Sequence, residues 1–193
     1  MNLAGNQVLL RPMTLRERPK FFQWATRSDA TPFWYGELSG DEVPSYVVFR
    51  TEWPDYYFTG SQPSKGRCFM IEYQSVPIGQ INYNQINQDD LSTELDILIA
   101  NHQHQGQGLG TEAIQLLTQY LFDHMKVRRC RIEVISQNPR AIRAYEKAGY
   151  QHTYAYIREG ISWNVMEILA ETHSTVTYSL QKSSSLKMYS FFV

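Results

Sequence analysis

The 193-residue sequence predicts a mixed α/β fold organised round one central sheet. Three observations lead there. Short apolar segments of strand character come first, a strand–loop–helix–strand–helix run fills the middle, and a further strand pair follows it. Residues 7–11 read as the first strand, ending at Pro12. Thr14 with Glu17 three residues on is a capping-box pattern, so a helix is expected through about Ala25. Residues 31–66 are rich in aromatic side chains and scattered prolines, which predicts short helices and loops without clear boundaries. Residues 68–73 and 76–83 form a hairpin pattern turning at Gln74 and Ser75. Residues 87–92 are a polar turn, and 94–100 a third strand interrupted by charge. After a glycine-rich loop, Ile114, Leu117 and Leu121 recur at helical spacing. Residues 131–135 are a strand. Asn138 and Pro139 then open a short helix that Gly149 ends, with Asn as N-cap and Pro in the first turn. A last hairpin covers about 150–158 and 163–169.

Composition narrows the function classes. The apolar and charged fractions are those of an ordinary globular chain, and the formal charge of −1 comes without a basic run suited to nucleic acid. No stretch is long and apolar enough to cross a bilayer, and the first residues carry no basic region of a leader, so a cytoplasmic protein without membrane or nucleic-acid partners is expected. Cys68 and Cys130 lie far apart and form no metal or redox motif, which fits a reducing compartment. No metal is expected. The domain is expected over residues 1–170, with 171–193 as a Ser/Thr-rich extension, in a monomer or homodimer.

The chemistry concentrates in the loop Gln105, Gly106, Gln107, Gly108, Leu109, Gly110, Thr111. Its glycines join an apolar strand to an amphipathic helix, letting backbone amides and the helix N-terminus meet a phosphate. A phosphate-binding P-loop would need lysine after the last glycine, where Thr111 stands. A dinucleotide fingerprint needs G-x-G-x-x-G, and the spacing here is G-x-G-x-G, although Glu133 could pass for its ribose ligand. On the preceding strand, period two puts Glu94, Asp96 and Leu98 on one face and Leu95, Ile97 and Ile99 on the other. Two carboxylates on one face would attract a cation and accept its proton. Asp96, deeper in the apolar run, needs a function or a buried partner. His102 and His104 read as a solvated turn.

Gln105-x-x-Gly108-x-Gly110 resembles the acetyl-CoA signature Q/R-x-x-G-x-G/A of the GNAT superfamily of N-acetyltransferases. The segment from Asn138 through Ala141 and Tyr145 to Gly149 and Tyr150 resembles its second signature, N-x-x-A-x-x-x-Y-x-x-x-G-F/Y. The resemblance covers about residues 9–169. It implies a seven-strand sheet in which two parallel strands splay apart to admit acetyl-CoA as cosubstrate. It implies that residues 105–111 hold the pyrophosphate, that Leu98 and Ile99 offer backbone groups to the pantetheine and thioester, and that Asn138, Ala141 and Tyr145 line the far side. It further implies Asp96 as proton acceptor and Tyr145 as proton donor to the departing sulfur, with a small cationic amine as partner. Within the superfamily, the aromatic pair Trp34 and Tyr35 with Glu37, the strand around Asp96 and the second signature resemble aminoglycoside 6'-N-acetyltransferases, enzymes of antibiotic resistance. For a polyamino sugar, Glu37, Asp89, Asp90, Glu94, Asp96 and Glu133 are candidates to line the cleft. A hydroxylated lysine in siderophore assembly, a polyamine or a protein N-terminus are alternative amines, and a catalytically silent CoA-binding module is the alternative of another class.

Overall fold

The computed structural model describes residues 1–171; all but the first residue of the expected 171–193 extension therefore lies outside the described residues. One eight-stranded sheet runs through the molecule in the order β1-β2-β3-β4-β5-β6-β8-β7. Its strands are β1 (Leu3–Ala4), β2 (Val8–Pro12), β3 (Arg67–Tyr73), β4 (Val76–Tyr83), β5 (Ser92–Ile99), β6 (Arg129–Ile135), β7 (Gln151–Arg158) and β8 (Ile161–Leu169). The resemblance implied seven strands; the addition is the two-residue β1, which pairs with β2 and is too short to leave a periodic signal.

The β3–β4 hairpin turns where expected, with Gln74 and Ser75 both at positive φ (50° and 65°), as a two-residue turn between twisted strands requires. The Thr14 motif is used one turn early. Glu17 accepts from the backbone N–H and hydroxyl of Thr14 (2.8 and 3.0 Å), closing a 3-10 turn over Leu15–Glu17 before α1 (Arg18–Arg27) begins. The aromatic region resolves into α2 (Thr31–Trp34), α3 (Tyr46–Glu52) and α4 (Tyr56–Thr59). With α1 these cover one face of the sheet, and their rings lock round Phe21, which meets Trp34, Phe49 and Trp53 edge-on at 4.7–5.6 Å. Cys68, Met70 and Leu98 point into this layer from the strands.

The other face is covered by α5 (Leu109–Asp123) and α6 (Pro139–Lys147). Ile114, Leu117 and Leu121 are buried there among Leu10, Ile71, Leu95 and Ile132, as their helical spacing predicts. Asn138 caps α6, accepting from the Ala141 N–H at 3.1 Å. Both cysteines are free and buried, Cys68 in the first layer and Cys130 in the second.

Two features of β5 position the site. It pairs with β6 in parallel only from Ser92↔Arg129 to Glu94↔Arg131; beyond those three residues the strands part, although both continue. On its other edge β5 stays in antiparallel register with β4, from Tyr83↔Leu95 to Gly79↔Ile99. At the end of that ladder the Leu98 carbonyl oxygen presses against Gly79, where a Cβ would lie 2.0 Å from it. Only glycine fits such an approach.

Candidate active site

The gap between β5 and β6 opens into a cavity of about 630 Å³. The alternation of an antiparallel ladder turns the main-chain groups of Glu94, Asp96 and Ala100 toward β4 and those of Leu95, Ile97 and Ile99 toward the gap. Two carbonyls on the gap side are met by side chains: the Trp34 Nε1–H donates to Ile97 (3.2 Å), and the Gln105 amide donates to Ile99 (2.8 Å). The N–H groups of Ile97 and Ile99 are thereby left facing the gap. Leu98, expected to offer its backbone beside Ile99, lines the cavity too, but its carbonyl is pressed on Gly79 and its side chain is buried against α1–α4.

At one end of the cavity stand Gln105, Gly106, Gly108, Gly110 and Thr111. Gly106 and Gly108 have φ of 78° and 85°, and a Cβ at either would meet nothing within 4 Å, so this loop presents bare backbone to open space at the start of α5. That geometry fits a diphosphate. Of the remaining loop residues, the Leu109 side chain is core, and the Gln107 amide donates to the Gln103 carbonyl at 2.5 Å. Asn138, Ala141 and Tyr145 line the opposite wall, as do Arg140, Arg143 and Lys147. The three cations recur at helical spacing along α6, a basic stripe that could have been read from the sequence beside the signature. The Thr111 hydroxyl and the Gln115 amide donate to the carbonyls of Ala144 and Lys147 (3.4 and 3.3 Å), holding α6 against α5.

At the other end are the carboxylates. Glu94, Asp96 and Glu133 all line the cavity, Glu94 and Asp96 from the one face of β5 on which period two puts them. The Asp96 Oδ2 accepts from the side-chain amides of Asn82 and Asn84, both at 2.9 Å. Burial pushes its pKa up, opposed by those two amides. Burial, with the charges of Asp96 and Glu133, raises Glu94 to about 7. Arg131 ion-pairs with Glu133 and reaches Glu94 at 3.9 Å, and the Tyr156 hydroxyl donates to Glu133 at 2.5 Å. Tyr145 is buried, its hydroxyl bonded to no described residue; burial beside Asp96 raises its pKa, so the phenol keeps its proton at neutral pH. The aromatic faces of Phe33, Trp34, Tyr35, Trp53 and Trp163 complete this end.

Several expected lining residues stand elsewhere. Glu37 is exposed and outside the cavity wall, because the turn in which Ser39 and Gly40 donate to the Gly36 carbonyl carries it outward; Asp41 lines the cavity instead, paired with Arg158 at 3.2 Å. Asp89 and Asp90 precede β5 where it is still paired with β6, away from the opening, and Asp90 is held by Ser92 and Arg129. His104 is not a solvated turn residue. It lines the cavity, packs edge-on to Tyr73 at 6.3 Å, and its buried Nδ1 has no partner among the described residues. His102 is paired with Asp29 at 2.8 Å.

The raised Glu94 carboxyl has a testable consequence. Its folded pKa of about 7 lies above its ordinary value of 4.5, so the stability it contributes is present at low pH and lost as pH rises between the two. The melting temperature should fall across that window, and Glu94→Gln should remove part of the fall; a thermal melt at several pH values decides it.

Among the described residues no helix is long and apolar enough to cross a membrane, and no cluster suited to a metal occurs. A family model described as an acetyltransferase (GNAT) domain matches residues 7–151. The aminoglycoside N(6')-acetyltransferase type 1 of Klebsiella pneumoniae is 26% identical over 156 residues, 77% of this chain and 76% of that protein. The spermidine N(1)-acetyltransferase of Escherichia coli (strain K12) is 25% identical over 147 residues, 76% and 74% of the two chains. The solved structure of AAC(6')-Ib in complex with ribostamycin and coenzyme A superposes with a TM-score of 0.72 at 22% identity, covering 88% of this chain and 97% of that one. The splayed strands, the glycine loop and the family match agree: the chain belongs to the GNAT acetyltransferase family and is an acyltransferase.

Proposed function

We propose that this protein transfers an acetyl group from acetyl-CoA to a primary amine of a small polycation, and that the 6'-amino group of an aminoglycoside is its acceptor. The observation that carries the reading is the two-ended cavity: bare backbone and the α6 cations at one end, three carboxylates among aromatic faces at the other. The first end suits a phosphate-bearing coenzyme and the second a flat molecule with several ammonium groups. The curated relatives named above act on an aminoglycoside and on spermidine, both polyamines in the chemical sense.

Acetyl-CoA supplies an activated thioester carbonyl. Gly106, Gly108 and Gly110 cradle its diphosphate, and the N–H groups of Ile97 and Ile99 orient the acyl end and polarise the carbonyl. Glu94 and Glu133 draw the ammonium in, and Asp96 accepts its proton, directly or through water. The freed nitrogen forms the new N–C bond as the C–S bond breaks, Tyr145 gives its phenolic proton to the sulfur, and the second proton shed by the acylated nitrogen restores the phenol, directly or through water. No metal is needed in this scheme.

A thiol-release assay with acetyl-CoA across kanamycin, ribostamycin, spermidine and N-terminal peptides tests the proposal. Turnover of the aminoglycosides is expected. Turnover of spermidine alone would move the acceptor to linear polyamines, a reading favoured by the second relative. Absence of any affinity for CoA in calorimetry would overturn the enzyme mechanism altogether.

A further inference from the structure

Beneath Asp96 lies a buried polar group that the mechanism above does not use. Asn82 faces Asp96 across the β4–β5 ladder and is fully buried. Its Nδ2 has two hydrogens, one donated to Asp96 Oδ2 at 2.9 Å and one to Asn84 Oδ1 at 3.0 Å. Asn84 donates its own Nδ2–H to the same Asp96 oxygen at 2.9 Å. The Tyr57 hydroxyl, on α4, donates to Asn84 Oδ1 at 2.9 Å. Asn84 thus receives two donors on its oxygen and cannot turn its amide without losing both. Every donor in the chain points toward the carboxylate. Asp96 Oδ1, by contrast, has no donor among the described residues, and the residue lines the cavity.

We infer that Asn82, Asn84 and Tyr57 are positioning residues that hold Asp96 as an ionised base, with Oδ2 anchored in the sheet and Oδ1 left free for the substrate amine. The inference rests on the reading of Asp96 as proton acceptor. Two neutral donors on one oxygen favour the charged form without cancelling its charge, as a salt bridge to arginine would. That matters because what else surrounds Asp96 favours protonation or is neutral. Burial acts first, and Glu94 on β5 and Glu133 on β6 add like charge; Cys68 on β3, Tyr145 on α6 and Tyr57 itself are neutral. Arg131 stands behind Glu133 and Glu94, already paired. A carboxyl so placed is pushed toward its protonated form, and hydrogen bonds to the ionised form oppose that.

The measurement is the titration of the Asp96 carboxyl carbon by NMR in the labelled full chain, assigned by its loss in Asp96→Asn, alongside the pH profile of kcat/KM for kanamycin and spermidine. In Asn84→Leu the midpoint should rise by about one pH unit, the loss of one bond to a charged group. In Tyr57→Phe it should rise by less, because Asn84 keeps its bond to Asp96 and loses only one of the two donors that orient it. Acetyl-CoA affinity in calorimetry should stay unchanged in both. A midpoint unmoved in folded Tyr57→Phe and Asn84→Leu overturns the inference; if Asn84→Leu does not fold, Tyr57→Phe alone decides. Should Asp96→Asn keep parental activity, the base assignment falls, and the titration still reports separately whether the amides hold the carboxylate.

Discussion

Replacing Asp96 by asparagine is expected to lower kcat by about 10²–10⁴-fold, the range general-base catalysis contributes. The substitution is nearly isosteric, and the new side-chain oxygen can take the place of Oδ2 under the amides of Asn82 and Asn84, so the fold should survive. What is lost is the acceptor for the ammonium proton. The residual rate should then depend on amine that reaches the site already neutral. It should climb about tenfold per pH unit below the amine's own pKa, where the parent levels off above the ionisation of Asp96. A rate–pH profile of the two proteins separates these behaviours. Parallel profiles would assign proton removal to another group, of which Glu94, raised to about 7, is the nearest in chemistry.

Gly79→Ala is expected to destabilise the protein by about 3 kcal/mol, the upper range of overpacking, and to lower its melting temperature by roughly 6–12 °C. The added methyl would overlap the Leu98 carbonyl oxygen, a backbone atom that can yield only if the end of β5 moves. Such a shift would carry the N–H groups of Ile97 and Ile99 with it, so acetyl-CoA affinity should fall together with stability. Calorimetric melting and titration on the same sample test both. A variant melting within about one degree of the parent would mean that β5 can bend away freely.

Much of this was legible in the sequence where a short-range rule applied. Period two placed Glu94 and Asp96 on one strand face, the Asn138–Pro139 pair marked the start of α6, and Gln74–Ser75 marked a turn. The glycine spacing located the loop at the mouth of the cavity. What stayed hidden depends on contacts across elements. Gln80, Asn82 and Asn84 alternate with Ile81 and Tyr83, a pattern that reads as a solvent face. That face is covered by α1–α4, so Gln80 and Asn82 are buried and Asn82 and Asn84 serve Asp96. Asp41 and Glu37 differ only by where an irregular turn points them, and no periodicity governs such a turn. The direction of the Leu98 carbonyl was hidden for the same reason: it is set by the partner strand and by Gly79, neither of which is local to residue 98.

The two cysteines, sealed in opposite layers, bear on how the chemistry can be followed. Burial pushes both thiols above their ordinary pKa, so neither offers a thiolate to an aromatic disulfide reagent while the chain is folded. Colour developed in a turnover mixture therefore reports the sulfur freed from the coenzyme without a protein blank. Any slow protein signal marks molecules that have opened, which gives the same cuvette a clock for unfolding.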